Sequence, residues 1–235
     1  MNSFLAPTAI LVSTVLAIVA VIMFIVTHVR NKDKSAVISI KFMLKTYLYL
    51  ISYIALLIAA FGLTMTIKSG LSYIFRYDFS YNSYRPLFET TPESNSDVIV
   101  NDGTEYYVDN DIRERELVNG ITLFISMGVI FLIHWIAAKF IDKDRLSSLY
   151  KSYLFGSLIL YSILAIVIIP TSIYNLVNYL LERNKEVDIY ARAVPGEYLA
   201  GLIVFVPLWV IYLLKVLRMH KQEEANKTVS LESNN

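Results

Sequence analysis

Cysteine is absent from the 235 residues. Its absence removes disulfides, thiolate metal sites, dithiol redox chemistry and cysteine nucleophiles together. The familiar catalytic signatures are missing as well: there is no nucleophile elbow, phosphate loop, zincin helix or dinucleotide fingerprint. Histidine is down to three residues, His28, His134 and His220. A bis-histidine haem needs two of them facing each other across a bundle, and the residue matched to His134 by the repeat described below is Lys215. A further absence concerns place. No Asp or Glu falls inside any of the long apolar runs, whereas proton- and sodium-coupled carriers usually hold a carboxylate at mid-membrane. These gaps point away from an enzyme, from a cofactor or metal, and from coupled transport.

Apolar length is what the chain has in abundance. Hydrophobic residues make up 56% of it, against about 45–50% in soluble domains, and they gather into uninterrupted runs. A bilayer core about 30 Å thick needs roughly 20 such residues in a helix. Five runs meet that length: from about residue 4 or 8 to 29, then 47–67, 117–138, 153–173 and 198–217. The expected class is an all-α integral membrane protein. The first run has no basic segment before it and is followed by Arg30, Lys32 and Lys34, the pattern of a retained anchor with its N-terminus outside.

Charge placement extends that orientation. Residues 30–46 add Lys41 and Lys45 to the basic set, and residues 139–152 carry Lys139, Lys143, Arg145 and Lys151. The segment 76–116 is acidic, opposed only by Arg76, Arg85, Arg113 and Arg115. Basic short loops stay in the cytoplasm. The predicted topology is therefore N-terminus outside, C-terminus cytoplasmic, in a plasma membrane, with 76–116 outside.

An internal repeat organises the spans. A shift of 106 residues lays Lys45, Tyr47, Leu48, Ala59, Ile67 and Tyr73 on Lys151, Tyr153, Leu154, Ala165, Ile173 and Tyr179. A shift of 81 lays Glu116, Gly120, Phe124, Val129, Ile130 and Leu132 on Glu197, Gly201, Phe205, Val210, Ile211 and Leu213. The offset changes where one copy carries the long acidic insertion. Each copy holds two spans, so both enter the membrane from the same side, related by a pseudo-twofold axis along its normal. The predicted domains are an anchor (1–30), a first two-helix repeat with its insertion (31–138, insertion 76–116), a second repeat (139–217) and a disordered cytoplasmic tail (218–235). The two tandem hairpins form a four-helix bundle.

The stretches "TYLYLISYIALL", "FLIHWIAAK" and "VPLWVIYLLKVLR" resemble an uncharacterised prokaryotic membrane-domain family whose members open on "YLYL" and close on a "PLW…HW" helix. Here the closing features are split, His134-Trp135 in the first copy and Pro207-Leu208-Trp209 in the second. The resemblance covers roughly residues 43–217. It implies the helical fold and brings no activity.

A few residues stand out against this background. Lys68 is the one basic residue inside a long apolar run, at the outer end of its span, and Glu116 and Glu197 open the following spans on that side. An ion pair from Lys68 to either glutamate would pin the bundle mouth. Pro170 and Pro207 interrupt the fourth and fifth runs and are candidate hinges. Asn175 and Asn178 are candidates for hydrogen bonds between helices, and Ser52, Ala55, Ala59 and Gly62 for a close helix contact. In the insertion, "DVIVNDGTEYYVD" reads as strand, turn, strand. The tyrosines Tyr77, Tyr81, Tyr84, Tyr106 and Tyr107 offer amphipathic contact area for a protein partner. Phe140, Ile141, Leu146, Leu149 and Tyr150 suit a short interfacial helix. The expected partners are the lipid bilayer and either another protein or a second copy, not nucleic acid. Taken together, the sequence points to a non-enzymatic structural or accessory membrane protein that binds a partner through the outer loop or through its helix faces. The alternative is a channel or facilitator for an ion or small solute, enclosed by the repeats or by a homodimer.

Overall fold

Four helices long and apolar enough to cross a membrane dominate the protein. The computed structural model describes residues 40–75, 77–81, 96–101, 104–142, 148–182 and 193–232. The first apolar run, with His28, lies outside the described residues, as do Tyr84 and the Asp102-Gly103 turn. Helix α1 is Ile40–Phe75 and is followed by the single turn α2, Tyr77–Ser80. Strands β1 (Ser96–Asn101) and β2 (Thr104–Asp109) pair antiparallel, with Ser96 opposite Asp109 and Asn101 opposite Thr104. Three long helices complete the order: α3 (Asn110–Ile141), α4 (Ser148–Glu182) and α5 (Pro195–Glu232).

The helices begin where local chemistry favours a beginning. Asn110 starts α3, its side-chain oxygen accepts from Arg113 Nη2 at 2.8 Å, and Asp111 sits in the first turn. Ser148 opens α4, a residue type suited to a helix start. Pro195 opens α5, where its missing N–H costs nothing, and Glu197 adds an acid to the first turn. Helices α4 and α5 run unbroken through Pro170 and Pro207. Thr171 Oγ1 donates to the Val167 carbonyl at 2.7 Å, one turn back, and Asn175 Nδ2 to that of Thr171 at 2.8 Å. Asn175 thus serves its own helix rather than a neighbour. All four helices overrun the apolar runs that define them.

At its far end α5 continues to Glu232, so the tail is helical where disorder was expected. Arg218, Met219, Lys221, Gln222, Glu223, Glu224 and Ala225 are good helix formers, and an ion pair of Glu223 with Lys151 supports the extension, with His220 against Glu224 at 3.3 Å. Of the residues expected in a short interfacial helix, Phe140 and Ile141 end α3 and Leu149 and Tyr150 lie in the first turn of α4, while Leu146 lies outside the described residues.

The chain divides into two compact units, residues 1–47 and 48–235. Of the first, only the opening turns of α1 are described, where Thr46 Oγ1 donates to the Phe42 carbonyl. The core of the second gathers Ala60, Leu154, Tyr161, Val204, Phe205 and Tyr212. Ser52, Ala55, Ala59 and Gly62 form a buried stripe on α1. There α1 crosses α3 backbone to backbone. A Cβ on Gly62 would stand 2.7 Å from the Phe124 nitrogen, and one on Gly120 2.8 Å from the Gly62 carbonyl. With no hydrophobic drive between helices in lipid, such close van der Waals contact is what holds them together.

Candidate functional site

The clearest polar assembly stands where α1 ends and α3 and α5 begin. Lys68 Nζ lies 3.0 Å from Glu116 Oε2 and 3.4 Å from Oε1, so it straddles the carboxylate. It also lies 3.8 Å from Glu197 Oε2. The lysine side chain is 15% exposed, Glu116 28% and Glu197 64%. Lys68 therefore makes a sheltered pair with Glu116 and a looser, solvent-screened one with Glu197. The two glutamates occupy matched positions under the 81-residue shift. One lysine thus links the starts of α3 and α5.

The segment after α1 roofs this cluster. Tyr77, Phe79, Ser80 and Tyr81 are all buried. The Tyr81 ring receives the Lys68 ammonium 4.6 Å from its centroid, and Tyr77 stacks on Tyr81 at 5.0 Å. Phe79 meets Tyr179 of α4 edge-on at 5.3 Å. Ser80 packs so close to Gly196 at the start of α5 that no Cβ fits there. Burial pushes the Tyr81 phenol above its ordinary value and the Glu116 carboxylate adds to the rise, so it stays neutral beside the ion pair. Tyr77 and Tyr81 are interior residues, and the expectation that they offer a partner surface is corrected for these two. Lys68 draws the Tyr81 ring inward, and Tyr77 follows it. Tyr84 is outside the described residues, and of Tyr106 and Tyr107 only the strand backbone is described.

Hydroxyl groups tie helix pairs together at this end. Ser69 Oγ donates to the Arg113 carbonyl across the α1–α3 contact at 3.0 Å. Ser172 Oγ donates to the Tyr198 carbonyl across the α4–α5 contact at 2.8 Å. Arg113 lies over the Tyr73 ring, 3.9 Å from its centroid.

A second assembly runs down the bundle and has no counterpart among the sequence candidates. Tyr49 donates to Asp142 Oδ2 at 3.0 Å and packs on Tyr153 at 5.3 Å. Tyr153 and Tyr212 share a 2.8 Å hydroxyl–hydroxyl hydrogen bond, and Tyr212 stacks on Tyr161 at 5.3 Å. The Tyr161 hydroxyl is fully buried with no hydrogen-bond partner among the described residues, and Ser157 is buried beside Tyr212. The sequence signal was the four-residue spacing of Tyr153, Ser157 and Tyr161, which puts all three on one helix face. Of the described histidines, His134 Nδ1 lies 2.8 Å from the Ile130 carbonyl of its own helix and His220 lies against Glu224. They do not meet. Pro170 and Pro207 are both on the surface.

No family model, curated protein or solved structure matches the chain. The resemblance to an uncharacterised membrane family rests on the quoted stretches alone.

Proposed function

We propose that this chain is a non-enzymatic structural or accessory protein of a plasma membrane that acts by binding a partner along a helix face. In this reading it has five spans, the anchor and two copies of a helical hairpin. The acidic segment with its paired strands lies outside and the C-terminus is cytoplasmic. Support for the two copies comes from one contact made twice. Gly62 meets Gly120 in the first pair. The positions matched to them by the two shifts, Ile168 and Gly201, meet in the second, 3.6 Å from the isoleucine to a Cβ built on the glycine.

The observation that carries the functional reading is the exposure of α3. Only 6% of its apolar span is buried, against 33% for α5. Val118, Ile125, Val129 and Leu132 are each at least half exposed, although the helix is anchored at both a glycine crossing and an ion pair. Photo-crosslinkers placed at Ile125, Val129 and Leu132 in native membranes test it. The reading expects one defined protein adduct at all three positions; adducts to lipid alone would remove its basis.

The channel reading has its own support in the buried hydroxyls of Ser52, Ser157 and Tyr161 within the bundle. It predicts solute flux through the purified protein in liposomes. Absence of flux for ions and small neutral solutes counts against it.

A further inference from the structure

At the Lys68 end, ion pairs and hydrogen bonds hold the four long helices at one level. Lys68 of α1 meets Glu116 of α3 and Glu197 of α5, Ser69 donates to the Arg113 carbonyl, and Ser172 of α4 donates to that of Tyr198. Beyond this level the helices differ. Helix α5 has its first residue, Pro195, within a turn, and the opening turns of α3 carry Asp111, Arg113, Glu114 and Arg115. Helices α1 and α4 run on through residues 69–75 and 173–181, about 10 and 14 Å of helix, and neither continuation carries a charge.

These continuations are inside-out by the standard of a protein in water. Ser72 of α1 is buried, like Ser69 and Ser172 at the foot, whereas Ile74 is 75% exposed, Phe75 51%, Leu180 57% and Leu181 60%. Phe79 joins the two helix ends into one surface: its ring centroid lies 4.9 Å from that of Phe75 and 5.3 Å from that of Tyr179. Tyr73, under Arg113, marks the edge toward α3, and charge returns at Arg76, Asp78 and Glu182. Such a contiguous apolar patch is uncommon on a protein in water.

We propose that this surface is a collar immersed in lipid, that the bilayer stands about two turns taller beside α1 and α4 than beside α3 and α5, and that the protein therefore prefers long-chain lipids. Hydrocarbon is the occupant because the collar continues one exposed face of α4. Ile159, Ile163, Ile166, Ile173, Val177 and Leu180 are all exposed and recur at helical spacing, with no charge among them to meet a polar partner. The uncharged stretch of α4, 152–181, is about 45 Å long, against about 26 Å for 198–214 of α5 and about 30 Å for a bilayer core. A long span tilts, kinks or thickens the bilayer. Helix α4 is unbroken, and it cannot tilt alone, since Ser172 bonds to Tyr198 near one end and Tyr153 to Tyr212 near the other. Thickening is the adjustment left. Nothing here depends on partner binding at α3; it needs only that the four long helices cross a membrane.

Because the chain has no cysteine, a nitroxide can be placed uniquely at I74C or L180C in the full protein, reconstituted in phosphatidylcholine bilayers. I163C serves as the reference inside the membrane and E114C as the reference in water. Oxygen collects in hydrocarbon and a nickel chelate in water. Both collar labels should collide with oxygen several-fold more than with the chelate, as I163C does, while E114C reverses the ratio. Thermal unfolding of the unlabelled protein should shift upward as the acyl chains lengthen from about 14 to about 22 carbons, and I74S/L180S should move the optimum to shorter chains. If the double serine variant does not fold, L180S alone carries the comparison. Collar labels that behave like E114C would overturn the proposal by placing the surface in water. Labels shielded from both agents would overturn it by placing protein there. An unchanged optimum in the serine variants would overturn the preference for long chains.

Discussion

Helices α3 and α5 carry matched residues and stand in different surroundings. Phe124 and Phe205 are equivalent under the 81-residue shift, yet Phe124 is 41% exposed and Phe205 2%. Phe205 packs on Phe61 and Tyr161. Their first turns also differ in a graded way, since Lys68 holds Glu116 at 3.0 Å and Glu197 at 3.8 Å. The glycine between these positions reverses the order: Gly120 is clamped against α1 while Gly201 has room. The lesson is that a related pattern can serve as a core helix when aromatic side chains interdigitate and as a rim helix when only small residues touch. In lipid both are tolerated, because the outer face needs no polar cover.

The largest expected difference comes from the phenylalanines. Phe205→Ala should destabilise the detergent-solubilised protein by about 3–5 kcal/mol, the usual loss for a buried aromatic. Phe124→Ala should cost under about 1 kcal/mol, the scale of surface substitutions. Equal losses in thermal unfolding would break the comparison. Next come the glycines. Gly120→Ala should cost about 1–3 kcal/mol through overpacking, because its new methyl would stand 2.7 Å from Thr66 Oγ1 and 2.8 Å from the Gly62 carbonyl. Gly201→Ala meets Ile168 at an ordinary 3.6 Å and should be close to neutral. A smaller effect is expected from the carboxylates. Glu116→Gln should cost about 1–2 kcal/mol, between the limits for exposed and buried pairs, with Glu197→Gln near zero. If Glu197→Gln costs more, the lysine favours the other helix and the grading is wrong. Tyr212→Phe, which removes the hydrogen bond to Tyr153, should cost about 0.6–1.7 kcal/mol.

Some of this was legible in the residues. The runs 47–67, 117–138, 153–173 and 198–217 each lie within a helix of the structure, because the length needed to cross a bilayer is a strong constraint. Counting along those runs puts Lys68, Glu116 and Glu197 at one end of the bundle. It does not say that one lysine reaches both acids. Which helix faces inward was hidden, because core and lipid-facing positions draw on the same Leu, Ile, Val and Phe. Tyr77 and Tyr81 were misread as exposed since a tyrosine in a polar stretch carries no mark of burial; the partner that buries Tyr81, Lys68, is 13 residues away. The tail was misread because local polarity suggests disorder, while the pairing of Glu223 with Lys151 is invisible along the chain.

The most direct test of the central claim is the native mass of the tagged protein, gently extracted from its own membranes, with mass spectrometry of its companions. The account predicts a species larger than the chain and its detergent, with a companion in fixed stoichiometry that is lost when Ile125 and Val129 are replaced by bulkier tryptophans. A lone chain or plain homodimer that conducts solute in liposomes would contradict it.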